Sequence, residues 1–217
     1  NMPLTNHART YLLQEGIRPE TIIKIGSCMD EVLDFYMPKI EKSNVCQKLG
    51  LIKDKYFLVS AHREENVDLP KRLEGLLESL SSLAVKYDVP IIFSVHPRTK
   101  ERLGKITNIV IDKRIKFLKA MGFLDYVKLQ KNAMCVVSGR GTISGEASLL
   151  NLSAVTIRQA HERPEGMDEG TLIMSDILPE KILQSVSIIL SQHNADKKLL
   201  NQVYDYKGGS VSIKVSR

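Results

Sequence analysis

The segment from Met134 to Thr171, MCVVSGRGTISGEASLLNLSAVTIRQAHERPEGMDEGT, constrains the fold more than any other. Met134 to Val137 reads as a buried strand. A turn of small residues follows, Ser138-Gly139-Arg140-Gly141-Thr142, and then a short amphipathic helix from Ile143 to about Leu150. A second apolar strand, Ala154 to Ile157, empties into a charged loop, Arg158 to Glu169. Strand, glycine turn, helix and strand in that order make the βαβ unit of a parallel sheet. Glycine at a strand-to-helix junction lets the main chain approach an anion, and the positive end of the helix favours phosphate. Many such turns carry glycine for tight packing alone, so this one gains weight only from the loop beyond it.

The rest of the chain repeats the alternation. Thr5 to Gly16 predicts a helix, capped by Thr5 and stopped by Gly16. The β-branched run Thr21 to Ile25 predicts a short strand, and Gly26-Ser27 a turn before a helix from about Met29 to Ile40. An amphipathic segment, Val45 to Leu51, leads to the strand Tyr56 to Ser60. The strongest helix starts after Asp68, with Pro70 in its first turn. Leu69, Leu73, Leu76, Leu77, Leu80, Leu83 and Ala84 form its apolar face. Strands are expected at Val89 to Val95, near Ile115 to Leu118 and at Leu172 to Met174, with helices near Thr99 to Ile106 and from Gly122-Phe123 onward. Asp176 and Pro179 introduce a helix with Ile182, Leu183, Val186, Ile189 and Leu190 on one face. A polar helix, Asp196 to Tyr204, and a Gly208-Gly209 break close the chain. Five or six strands alternating with helices predict an α/β fold, a Rossmann-like doubly wound parallel sheet.

Several function classes are disfavoured by composition. The net charge of +6 is scattered without a basic run, and aromatics are 6%, so neither a nucleic-acid groove nor its stacking platform is expected. A basic surface facing a small phosphate-bearing molecule fits better. No apolar run has the length of a membrane span, and no signal peptide opens the chain. Cys28, Cys46 and Cys135 are odd in number and unclustered, which predicts reduced thiols in the cytoplasm and no disulfide frame or zinc site.

Four polar clusters fall at the expected carboxyl ends of strands: His62 to Asn66, His96 to Arg98, Ser138 to Thr142, and Arg158 to Glu169. Parallel strands align these along one edge, where α/β sheets bind ligands. A lone histidine there is more often a satisfied side chain than a ligand. Two histidines each close to an arginine point to ligand contact, because the guanidinium fork suits phosphate. His7, on an ordinary helix, and His193, at a helix end, are structural or surface residues. No metal-ligand spacing and no convincing nucleophile triad is present. The equipment suits a diphosphate, with carboxylates available for sugar hydroxyls.

His62-Arg63-Glu64-Glu65-Asn66, His96-Pro97-Arg98, Gly141-Thr142-Ile143-x-x-Glu146 and Glu162-Arg163-Pro164-Glu165 together resemble the non-hydrolysing UDP-N-acetylglucosamine 2-epimerases. SAHREENVD and IRQAHERPEGMDEGT are most similar to the branch acting on 6-deoxy UDP-N-acetyl-L-hexosamines, on the way to UDP-N-acetyl-L-fucosamine for polysaccharide biosynthesis. Members are longer, with two Rossmann-like domains in the GT-B arrangement and the UDP-sugar between them. The resemblance covers only the second half. It implies that residues 1–24 are a remnant of the interdomain connection, 25–205 the C-terminal UDP-binding domain and 206–217 a truncated tail. The family reaction removes the C2 proton and eliminates UDP to an acetamidoglycal, and UDP then adds back with C2 inverted. Its acid–base carboxylates belong to the absent N-terminal domain, so this chain is expected to be inactive as a fragment. No cofactor and no metal is implied. The partners implied are the UDP-sugar and the missing domain, with a homodimer possible for the full-length protein.

The resemblance assigns His62 as the catalytic-site histidine near the diphosphate. It makes Arg63, His96, Arg98, Phe123, Arg140, Gly141, Thr142, Glu146, Arg158, Glu162 and Arg163 UDP-binding, with Phe123 at the uracil and Glu146 at the ribose. The phosphate turn departs from the family's Asp-Ser-Gly-Gly/Thr-Ile-x-Glu-Glu. Gly139, Arg140 and Gly145 replace its Asp, its Ser and its first Glu. A lost hydroxyl donor to a charged group costs about 1.5–3 kcal/mol, and a helical glycine about 1 kcal/mol. Arg140 is either a replacement clamp or an obstruction. Two other expectations accompany the epimerase: half of a GT-B glycosyltransferase, or a degenerate non-catalytic remnant.

Overall fold

The computed structural model describes residues 1–61, 69–104, 106, 109–158, 163–194 and 202–216, with the side chains of 97, 98, 193 and 194 outside that description. Its described strands are β1 (Phe57–Ser60), β2 (Ile91–Val95), β3 (Ile115–Lys119), β4 (Cys135–Ser138), β5 (Ala154–Thr156) and β6 (Ile173–Met174). All pair in parallel, in the order β3-β2-β1-β4-β5-β6. The order reverses between β1 and β4, and their carboxyl ends flank the crevice where doubly wound sheets take ligands.

Two-residue periodicity divides each strand between two cores. Phe57, Val59, Ile91, Phe93, Cys135, Val137 and Val155 face one layer, covered by α4 (Pro70–Tyr87) and α9 (Pro179–Asn194). Leu58, Ile92, Val136 and Ala154 face the other, with Tyr126, Leu129, Ile143 and Ala147. Those four residues come from α6 (Phe123–Asn132) and α7 (Ile143–Leu150). Full burial on both faces explains why β1, β2, β4 and β5 read as nearly unbroken apolar runs. On α4, Leu73, Leu76, Leu77, Leu80, Leu83 and Ala84 are buried at helical spacing, as the sequence predicts. Each leucine buried there contributes about 2 kcal/mol.

α1 (Asn6–Gln14) is capped as expected, with Ala8 N donating to Thr5 Oγ1, and Gly16 turns the chain at φ +81. α2 (Cys28–Glu41) and the single turn α3 (Val45–Lys48) precede β1, and α5 (Pro97–Leu103) follows β2. The single turn α8 (Glu165–Asp168) lies between β5 and β6, and α10 (Val211–Val215) comes last.

Two expectations are corrected, and a third falls mostly outside the described residues. No strand forms at 21–25: Thr21 closes a 3-10 turn, and the extended residues after it bond through their amides to the opening residues, Ile23 N to Asn1 O and Ile25 N to Pro3 O. Leu69 is 59% exposed because it is the residue before Pro70 at the start of α4, outside the buried face. Asp196 to Tyr204 is not confirmed as a helix: 195–201 lie outside the described residues, and Tyr204–Tyr206 is a 3-10 turn.

The opening and the tail close on each other. Ser27 N donates to Tyr206 O, and Lys214 Nζ donates to the carbonyls of Ile25 and Gly208. Asp205 accepts from Asn6 N and Lys24 Nζ, both at 2.6 Å. Gly26, at φ +86, lies against Gly208 so closely that a Cβ on either would overlap the other's main chain.

Candidate functional site

Register sets the site. Ser94, Ser60 and Ser138 are level across β2, β1 and β4, and Thr156 continues the row on β5. Each is buried. These short hydroxyl side chains occupy the inward position that larger apolar residues fill one pleat lower, and above Ser60 and Ser94 the sheet's carboxyl rim is hollow. A cavity of about 310 Å³ opens there, lined by Ser60, Ser94, His96, Phe123, Arg140 and Glu146 among others.

His96 stands at the start of α5, straight after β2. Phe123 begins α6, is 38% exposed and meets Tyr36 edge-on at 5.9 Å. Glu146, in the first turn of α7, is 3% exposed and accepts from Gln130 Nε2 at 2.5 Å. Arg140 lies on the cavity side of the glycine turn, its guanidinium 4.9 Å over the Tyr126 ring. Burial first, and the charge of Glu146 second, raise the Tyr126 phenol above its ordinary range, while Arg140 opposes them.

The turn between β4 and α7 is built locally. Gly139 N donates to Ser60 O at 2.9 Å, and Arg140 N to Ser138 Oγ at 3.1 Å. Thr142 precedes α7 without capping it, and its buried hydroxyl has no partner among the described residues. The first amides of a helix have no acceptor within it, so this turn offers amide and hydroxyl donors beside Arg140.

One cavity therefore unites His96, Phe123, Arg140 and Glu146, while Gly141 and Thr142 follow Arg140 in the turn and are not part of its lining. Arg158 is 7% exposed beyond β5 and does not line it. Arg163 does not line it either. Its Nη1 lies 3.6 Å from where a Cβ on Gly145 would stand, and it borders a smaller cavity of about 140 Å³ with Thr5, His7 and Glu165. A Cβ at position 145 would therefore meet that guanidinium at ordinary van der Waals distance. Beside it, Tyr206 donates to Glu165 Oε1 at 2.9 Å. His62, Arg63 and Glu162 lie outside the described residues, as does the side chain of Arg98. His7 is half-exposed and pairs with Asp168 at 3.2 Å.

Sequence reasoning missed Ser60, Ser94, Tyr126 and Gln130. Tyr126 and Gln130 are four residues apart on α6, hence on one face, and that face is buried. A glutamine on the apolar face of an amphipathic helix was the available signal.

The model of the UDP-N-acetylglucosamine 2-epimerase family matches residues 1–217. A UDP-N-acetylglucosamine 2-epimerase of Methanocaldococcus jannaschii is 34% identical over 194 residues, covering 87% of this chain and 53% of its own. A solved UDP-N-acetylglucosamine 2-epimerase from Rickettsia bellii superposes at TM-score 0.89 with 49% identity, covering all of this chain and 58% of that one. The M. jannaschii enzyme in complex with UDP-GlcNAc and UDP gives TM-score 0.82 and 31% identity over 98% of this chain and 59% of its own. The chain thus spans little more than half the length of these relatives.

Proposed function

The chain belongs to the UDP-N-acetylglucosamine 2-epimerase family, and from that premise we propose that it is the half of such an enzyme that holds the uridine diphosphate. The observation that carries this reading is the single cavity over the β1/β4 crevice, lined by His96, Phe123, Arg140 and Glu146. The partly exposed ring of Phe123 takes the uracil. Glu146 accepts from the ribose hydroxyls, and Gln130 holds the carboxylate in place from behind. Gly141 and Thr142 supply amide and hydroxyl donors to the phosphates, with α7 adding its positive end. Arg140 is the clamp that replaces the family's serine. Arg158 and Arg163, with His62, Arg63, Arg98 and Glu162, complete the phosphate and sugar contacts.

The whole enzyme acts on UDP-N-acetylglucosamine or a related UDP-N-acetylhexosamine. It takes the C2 proton and breaks the bond from C1 to the UDP oxygen to give an acetamidoglycal, then re-adds UDP and returns the proton to the opposite face of C2. The acid–base groups lie in the half not represented here, so residues 25–205 bind without turning over. The complete protein works in the cytoplasm, to which the three free cysteines of this chain are suited, and pairs as a homodimer.

Calorimetry of the 217-residue chain tests this reading. UDP binds, uridine binds more weakly, and no epimer of UDP-N-acetylglucosamine forms. Arg140→Ser weakens UDP about tenfold or more, as loss of a charge-assisted bond should, and affects uridine less. Arg163→Ala likewise costs UDP more than uridine. Tighter UDP binding in Arg140→Ser would make the native arginine an obstruction and favour a degenerate remnant. No heat at millimolar UDP from a folded chain defeats the proposal outright.

A further inference from the structure

Phe123 is the aromatic side chain at the nucleotide cavity that solvent reaches. It begins α6, lines the cavity and is 38% exposed. A ring in that position turns about its side-chain bonds unless a neighbour restrains it, and a base that stacks on it must first still the motion. Ordering a side chain on binding costs affinity, and a ring already fixed avoids that loss.

The neighbour is Tyr36 of α2. Its ring meets Phe123 edge to face, with centroids 5.9 Å apart and planes at 70°. Such pairs prefer a definite tilt and are worth more than the area they bury. Tyr36 is itself anchored. It packs with Leu124 on the buried cluster of Leu33, Ile40 and Val127. Phe35, which is 70% exposed, meets it edge to face at 4.9 Å. Lys39, one turn on, sets its ammonium 5.5 Å from the centre of the Tyr36 ring and 5.9 Å from that of Phe35. The helix that carries these residues is fastened to α6 as well. Glu41 accepts from Lys128 and Lys131, and just past the end of α2 Ser43 donates to Asp125 at 2.5 Å. The row Phe35, Tyr36, Phe123 therefore runs from the surface of α2 to the cavity, and Tyr36 stops short of the lining.

We propose that Tyr36 is a positioning residue for the nucleotide site: it touches no ligand, and its ring, steadied by Phe35 and Lys39, holds Phe123 in the attitude that receives the base. The inference rests on Phe123 as the uracil contact and carries that reading one residue farther from the ligand. Its effect passes through the Phe123 ring and through nothing else.

Calorimetry of the 217-residue chain with UDP and uridine tests it. Tyr36→Leu weakens both ligands by the same factor, about threefold to tenfold, because both carry the base. Tyr36→Phe keeps the ring and stays within about twofold of wild type. In a Phe123→Leu background, Tyr36→Leu has no further effect on uridine, since the ring it served is gone. Urea denaturation shows which variants are folded, and Tyr36→Met takes the place of Tyr36→Leu if the leucine variant is not. Four results overturn the inference: unchanged uridine affinity in Tyr36→Leu, a loss that differs between UDP and uridine, a Tyr36→Phe variant as weak as Tyr36→Leu, or losses that add in the double variant. Absence of UDP heat in the wild type defeats the nucleotide reading and the inference together. UDP heat with unchanged affinity in the Tyr36 variants defeats the role of Tyr36 alone.

Discussion

Glu146 and Gln130 show how one buried polar pair positions a site. Glu146 is 3% exposed, and its bond from Gln130 fixes which carboxylate oxygen faces the cavity. Gln130→Met keeps the helix and the volume but removes the donor. It should destabilise the chain by about 1–3 kcal/mol, the cost of an unpaired buried group, and weaken uridine and UDP alike, since both carry the ribose. Urea denaturation and calorimetry together check it; a loss confined to UDP would show that Gln130 does not act through the ribose carboxylate. This pair was not legible from sequence, because the partners are sixteen positions apart: the apolar face of α6 marks Gln130 as buried but does not name Glu146 as what it meets. Arg140 was legible as a departure, but its stacking on Tyr126 is a tertiary fact. The serines ending β1 and β4, Ser94 one residue short of the end of β2 and the threonine ending β5 were visible in the sequence, yet their alignment into one row requires the register.

Helices and strands were the most readable level, for a physical reason: parallel strands buried on both faces give apolar runs, and α4 and α7 announce themselves by period and punctuation. Thr21 to Ile25 failed because β-branched residues favour extended backbone without supplying a neighbouring strand. Between α2 and α6, charge makes a defined clasp. Glu41 at the end of α2 accepts from Lys128 and Lys131 on α6, the former at 2.6 Å, and these bonds lower its carboxyl from 4.5 to about 2. A depressed acid contributes stability that is complete above its unfolded value and is lost as pH falls from about 4.5 toward 2. The carboxylate is half-exposed, so solvent limits the gain to about 1 kcal/mol at most. Glu41→Gln should therefore lose a little stability at pH 7 and show a flatter decline below pH 4.5 in denaturant titrations. An unaltered pH slope would show that the clasp contributes nothing.

For the whole molecule, cooperativity can be read from its thiols. Cys135 lies in a central strand, fully buried, and burial pushes its thiol up to about 12, whereas Cys28 is exposed. Iodoacetamide at pH 8 should label Cys28 in the folded chain and reach Cys135 only at the rate of global opening. Equal labelling of the two would mean the sheet opens locally. The seam of Gly26 against Gly208 carries the sharpest stability prediction. Gly208→Ala drives a methyl into main chain, not into a yielding side chain, and should cost upwards of about 2 kcal/mol; thermal melting within a degree of wild type would contradict the contact. The strand order, like this seam, was not readable from the chain, since a linear pattern names elements without saying which of them meet. The two glycines lie on either side of every described strand, so the whole sheet must leave the ribosome before this latch can shut. Until then the residues around Gly26 wait without their counterpart, open to a chaperone or a protease.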